Sequence, residues 1–95
     1  MKKSSIPEVF CSQLRLSIIS CLINGELFFS DLKDATGSTD GNLITQIKKL
    51  LSWGYIESKK VIHNDKLVTS YKLCPKALKE FEKYVLLLES ILNPD

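Results

Sequence analysis

Ser38, Asn42, Thr45, Gln46 and Lys49 recur at helical spacing along one stretch of the chain, and their side chains are short hydrogen-bonding groups and a cation. Groups of this kind reach base edges and phosphates when a helix lies in a major groove. The same stretch, Ser38 to Leu51, carries Leu43, Ile47, Leu50 and Leu51 in the i, i+4, i+7, i+8 pattern of a buried stripe. One side is therefore suited to a core and the other to a hydrogen-bonding, anionic partner. A solvated helix face would also be polar, so the neighbouring sequence has to decide.

Charge favours the anionic partner. Between Lys48 and Lys83 there are nine lysines against four carboxylates, whereas the whole chain carries only +2. A local positive field of this kind draws a polyanion through phosphate neutralisation and counterion release. Catalysis and metal binding find no support: there is no metal-ligand cluster, glycine-rich phosphate loop or serine hydrolase signature. No cofactor is expected. Cys11, Cys21 and Cys74 are odd in number and widely spaced, with only His63 to help bind a metal, so they read as free, buried thiols and not as a redox switch.

Ninety-five residues with 44% hydrophobic and 25% charged side chains are expected to form one domain, residues 1–95, with a single core. No apolar run approaches the ~20 residues of a membrane span. Met1-Lys2-Lys3 is followed by Glu8, Gln13 and Arg15 and not by an apolar signal core, so the expected location is the cytoplasm, with no membrane partner.

The elements that position the polar face can be read in order. Pro7 and Glu8 suit a helix start, and the apolar segment that follows has room for a break near Cys11-Ser12 before it stops at Asn24-Gly25. Glu26 to Phe29 is β-prone, with Ser30 expected to cap a short helix that ends at Thr36-Gly37. The next helix starts within two or three residues, the spacing of a helix-turn-helix. Gly41 in its first turn would be explained by a close backbone approach, to the preceding helix or to DNA, and Gly54 is its left-handed cap. Tyr55 to Ile62 and Leu67 to Leu73 read as strands joined by turn chemistry at His63 to Lys66. After Cys74-Pro75 a terminal helix, residues 75–93, repeats Leu78, Phe81, Val85, Leu88 and Leu92 at intervals of three and four, the seam of a helix that packs lengthwise on another. Leu86, Leu87 and Ile91 widen that seam beyond what a small domain covers, as Leu16, Ile19 and Ile23 widen the first helix.

Several stretches also carry a family resemblance: Leu14 to Ile19, Phe29 to Lys33, Thr36-Gly37-Ser38-Thr39-Asp40-Gly41-Asn42-Leu43, Lys48-Lys49-Leu50, Gly54-Tyr55-Ile56 and Tyr71-Lys72-Leu73. Together they resemble the winged helix-turn-helix transcriptional regulators of the MarR-like and ArsR-like kind. The resemblance implies a mainly α fold with a small β-hairpin (α+β), a homodimer and a sequence-specific grip on double-stranded DNA, with the Ser38 to Leu51 helix in the major groove. The expected DNA-binding residues are Ser38, Thr39, Asn42, Thr45, Gln46, Lys48 and Lys49 on that helix and Lys59, Lys60 and Lys66 on the wing. The expected dimer interface is Leu78, Phe81, Val85, Leu88 and Leu92. The sequence departs from its relatives in the wing, where Leu67 and Val68 stand in place of an arginine and a proline, and Asp65 adds a negative charge. Arg15, the only arginine, is expected to pair with Asp31 or Asp34 or to lie along the surface. Two other readings compete: a winged-helix module that binds protein without contacting DNA, and a repressor with a small-molecule effector, which no residue pattern indicates.

Overall fold

The computed structural model describes residues 7–93. A 3-10 turn over Glu8–Cys11 leads to α1 (Gln13–Leu22), β1 (Leu27–Phe28), α2 (Phe29–Thr36) and α3 (Asp40–Ser52). The hairpin β2 (Ile56–His63) and β3 (Lys66–Leu73) follows, and α4 (Pro75–Leu92) closes the described chain. The sheet is antiparallel in the order β1-β3-β2. This is a mainly helical winged helix fold, as the sequence implied.

Local chemistry sets the boundaries. The first segment breaks at Ser12, whose backbone is extended while its Oγ accepts from the Arg15 N–H at 3.2 Å and so caps α1. The start of α2 differs from the expected Ser30 cap. The cap is Phe28 and the helix begins at Phe29, two residues earlier than a Ser30 cap implies, because the Asp31 carboxylate reaches back to accept from the Phe28 N–H at 2.9 Å. Gly37, at φ 67°, ends α2, and Thr39 caps α3 by accepting from the Asn42 N–H at 3.2 Å. The helix thus starts at Asp40, and Ser38 and Thr39 belong to the turn. Lys33 and Asp40 face each other across this turn at 2.8 Å.

At the far end of α3, Gly54 adopts φ 76°. Its N–H reaches the Leu51 carbonyl at 3.1 Å, and the Tyr55 N–H reaches the Leu50 carbonyl at 2.9 Å. These paired bonds form a Schellman cap, which satisfies carbonyls the helix would otherwise leave open and turns the chain into β2. The wing closes with a two-residue turn at Asn64 and Asp65, both with positive φ, and strict pairing runs from Ile56 opposite Leu73 to His63 opposite Lys66.

Ile18, Ile19, Leu32, Leu43 and Leu50 are fully buried, so α1, α2 and α3 meet in one core, joined by Phe10, Tyr55, Ile56 and Ala77. The terminal helix contributes less. Its Ala77 is buried, and Phe81 and Tyr84 pack on the Phe10 ring at 5.9 and 4.9 Å between centroids. Beyond Tyr84, Leu86, Ile91 and Leu92 are 63%, 60% and 76% exposed. The molecule is correspondingly elongated, 54 × 24 × 22 Å. The thiols are less buried than expected, since Cys11 is exposed and Cys21 and Cys74 are half-buried.

Tyr55 joins α3, the wing and α4. Its carbonyl accepts from the Cys74 N–H at 3.0 Å, its hydroxyl donates to Glu80, and Lys76 sits over its ring at 4.7 Å. Burial, then the hydrogen bond and negative charge of Glu80, push its phenol up to about 12. A raised value favours the protonated phenol in the folded state, so this contribution to stability is complete below the unfolded value near 10 and is lost as pH climbs towards 12. Ultraviolet titration of phenolate absorbance should therefore show one tyrosine ionising near 12 in the folded protein, and Tyr55→Phe should remove that transition.

Candidate nucleic-acid interface

The solvent side of α3 is built by the same periodicity that buries Leu43, Ile47 and Leu50. Asn42, Thr45, Lys48 and Lys49 are exposed on it. The Thr45 hydroxyl donates to the Gly41 carbonyl at 2.9 Å, which fixes its rotamer and leaves its oxygen able to accept. Gly41 has no neighbouring atom within 4 Å of where a Cβ would stand, so no close approach inside the protein requires it. Ser38 is half-buried and its Oγ shares a 2.8 Å hydrogen bond with Thr36, while the Thr39 hydroxyl is engaged as the helix cap. Ile44, 41% exposed, adds an apolar edge on the side towards the wing.

Gln46 occupies a different position from its neighbours. It is half-buried on the shoulder of the face, and its Oε1 accepts from Arg15 Nη1 at 2.7 Å. Arg15 was expected to meet Asp31 or Asp34, or to lie on the surface; it does neither. It is 6% exposed, with Nε donating to the Val9 carbonyl at 3.1 Å and Nη2 to the Glu8 carbonyl at 2.9 Å. Its guanidinium lies 5.2 Å from the centroid of the Trp53 ring. The planar fork thus ties the 3-10 turn, the middle of α3 and its last turn together without a carboxylate, using carbonyl and amide oxygens and a π face to hold a buried cation. One signal in the sequence pointed here: a single arginine among twelve lysines, set inside an apolar helix.

The wing lysines divide by strand alternation. Lys59 stands opposite Ser70 and Lys60 opposite Thr69, so the two point to opposite faces of the hairpin. Lys59 lies 3.7 Å from Glu26, which also accepts from Ser70, and Lys60 donates to Thr69 at 3.1 Å. Lys48, Lys49 and Lys66 form no ion pair among the described residues. The tip also carries something the charge reading missed, an exposed cross-strand pair of Ile62 and Leu67. His63, read from the sequence as part of the turn, is exposed, ends β2 and packs beside the Phe28 ring at 4.8 Å.

A helix-turn-helix whose second helix exposes a polar face, flanked by a two-stranded wing, defines the winged helix class. The model of the winged helix DNA-binding domain family matches residues 14–92, and the chain belongs to that family. An uncharacterized protein of Methanocaldococcus jannaschii is 33% identical over 79 residues, which cover 82% of this chain and 86% of that protein. Among solved structures, a transcriptional regulator of Porphyromonas gingivalis assigned to the MarR family superposes with a TM-score of 0.75 at 20% identity, covering 98% of this chain and 96% of that one. The homodimeric winged helix-turn-helix DNA-binding domain of a Mycobacterium bovis protein, ascribed to the ArsR family, gives 0.76 at 18% identity, covering 92% of this chain and 78% of that one. The family is that of winged helix DNA-binding domains, and the fold is the one these two solved structures share.

The Arg15 fork sets a clear expectation. Arg15→Lys keeps the charge but cannot bridge the turn, Gln46 and Trp53 together. Urea denaturation should show a loss of roughly 1.5–3 kcal/mol, the magnitude of hydrogen bonds made by a charged group.

Proposed function

We propose that this protein is a homodimeric, sequence-specific DNA-binding transcriptional regulator that works in the cytoplasm and lays α3 in the major groove. The observation that carries the reading is the exposed side of α3, where short hydrogen-bonding groups and two lysines without ion-pair partners among the described residues stand opposite a fully buried stripe. In this reading Asn42 and Thr45 lie nearest the bases, with Gln46 on the shoulder. Lys48 and Lys49 meet phosphates, and Ser38 and Thr39 hold the helix N-terminus towards the backbone. Lys59, Lys60 and Lys66 supply backbone contacts from the wing. A protein-docking module is the weaker reading, because such a surface would be expected to be more apolar than this face of α3.

The dimer reading rests on α4. Leu78, Val85, Leu88 and Leu92 are exposed, and only Phe81 of the expected seam is partly covered, by Phe10. Ile23 joins Leu78, Phe81, Val85 and Leu86 around a shallow groove of about 470 Å³ that Glu82 and Glu89 also line, so α4 and the end of α1 share a largely apolar surface. Contiguous apolar surface of this kind is seldom left to water, and a two-fold axis is the commonest way of covering it. Such a pair would set two recognition helices ~34–36 Å apart for a palindromic site.

Lys49→Ala should weaken binding to all duplexes alike in a salt titration and lower the slope of log affinity against log salt by about one. If it binds like the parent, Lys49 is not at a phosphate. In sedimentation, the parent should run as a dimer at micromolar concentration and Leu88→Glu as a folded monomer. A monomeric parent, or a dimeric variant, removes α4 from the interface.

A further inference from the structure

Glutamine is able to meet DNA in two ways. With both ends of its amide free it pairs bidentately with adenine, accepting from N6 and donating to N7. With its oxygen turned inward to a buried partner, the side chain presents its two N–H groups outward. Gln46 is in the second condition: Oε1 is held at 2.7 Å by Arg15 Nη1, and because arginine has no acceptor, the oxygen and not the nitrogen must face it. Among the described residues no buried side-chain nitrogen or oxygen lacks a partner and Gln46 Nε2 has none, so with respect to them Nε2 is open to solvent.

The arrangement is firmly held. Arg15 is anchored by two carbonyls of the 3-10 turn and by the Trp53 ring, and that turn is itself fixed by Phe10 against Tyr84. For Gln46 to release its oxygen, a largely buried guanidinium would lose an acceptor with little water available to replace it. Rotamer and polarity are thus decided before any partner arrives.

We infer that Arg15 is a positioning residue that turns the Gln46 N–H groups outward, so that Gln46 engages an acceptor on DNA, either the O6/N7 edge of guanine or a phosphate oxygen, and does not form the bidentate pair that selects adenine. This rests on the proposed docking of α3 in the major groove.

Gln46→Glu isolates the point. One carboxylate oxygen keeps the bond to Arg15, so the fold is retained and its thermal midpoint should equal or exceed the parent's. The outward atom, however, changes from donor to acceptor. Parent, Gln46→Glu and Gln46→Met are each used to select from a randomised duplex library, and affinities for the parent's enriched duplex are then measured by fluorescence anisotropy. For a guanine edge, one guanine in the parent's site should give way to cytosine or adenine with Gln46→Glu, and the parent's duplex should be bound about tenfold more weakly. For a phosphate, the enriched sequence should stay the same while Gln46→Glu weakens every duplex. Adenine in the parent's site at a position whose preference disappears in Gln46→Met overturns the inference. So does an unchanged affinity and sequence in Gln46→Glu. A parent that binds no duplex overturns the α3 docking itself, a separate result from a parent that selects a site indifferent to residue 46.

Discussion

The packing of α3 is the constraint on which the rest of the structure depends. Leu43, Ile47 and Leu50 must be withdrawn from water, and each buried aliphatic side chain of this size contributes roughly 1.5–3 kcal/mol. Once that stripe is seated against α1 and α2, helix geometry leaves Asn42, Thr45 and Lys49 no orientation but outward. The Gly37–Thr39 turn and the Gly54 cap fix where the helix begins and ends, and hence which of its polar residues are free and which serve as caps. The outward face is thus a by-product of core formation, and hydrophobic burial sets its geometry.

Within this frame Arg15 joins parts that the apolar contacts alone leave independent. A leucine at that position could fill space beside Trp53, but it could not satisfy the carbonyls of Glu8 and Val9 and an amide of α3 at once. Burying a cation without a carboxylate is tolerable here because three oxygen acceptors and an aromatic face surround it. The result links the terminal helix to the polar face through a continuous set of contacts, from Tyr84 and Phe10 to the turn, Arg15 and Gln46.

Features governed by neighbours in sequence were legible from it. Gly54 as a left-handed cap, the Asn64-Asp65 turn, the break at Ser12 and the stripe of α3 all follow from local dihedral preference or periodicity. The failures share a cause in distance along the chain. Arg15 meets Gln46 across 31 residues, and nothing in either segment alone names the other. Its assignment to Asp31 or Asp34 followed charge, whereas the guanidinium found uncharged acceptors. The Ser30 cap was displaced because pairing of Leu27 and Phe28 with β3 set the chain direction, and Asp31 was then better placed to reach back. Among the candidate DNA contacts, residue type and spacing picked out the face but not the extra partner that half-withdraws Gln46.

The wing's register has a consequence for how the protein can change length. Side chains on β2 and β3 alternate between two faces, and Asn64-Asp65 locks the pairing at the tip. Inserting or deleting one residue at the start of β2 would exchange the faces of Lys59 and Lys60 and send Ile62 to the opposite side, and a one-residue change beside the turn in β3 would do the same to Leu67. Paired, two-residue changes on both strands preserve each face while moving the tip outward by ~7 Å, twice the rise of an extended residue. Variation in wing length is therefore quantised: descendants of this sequence can acquire a longer or shorter reach in steps, with the chemistry of each face carried along intact.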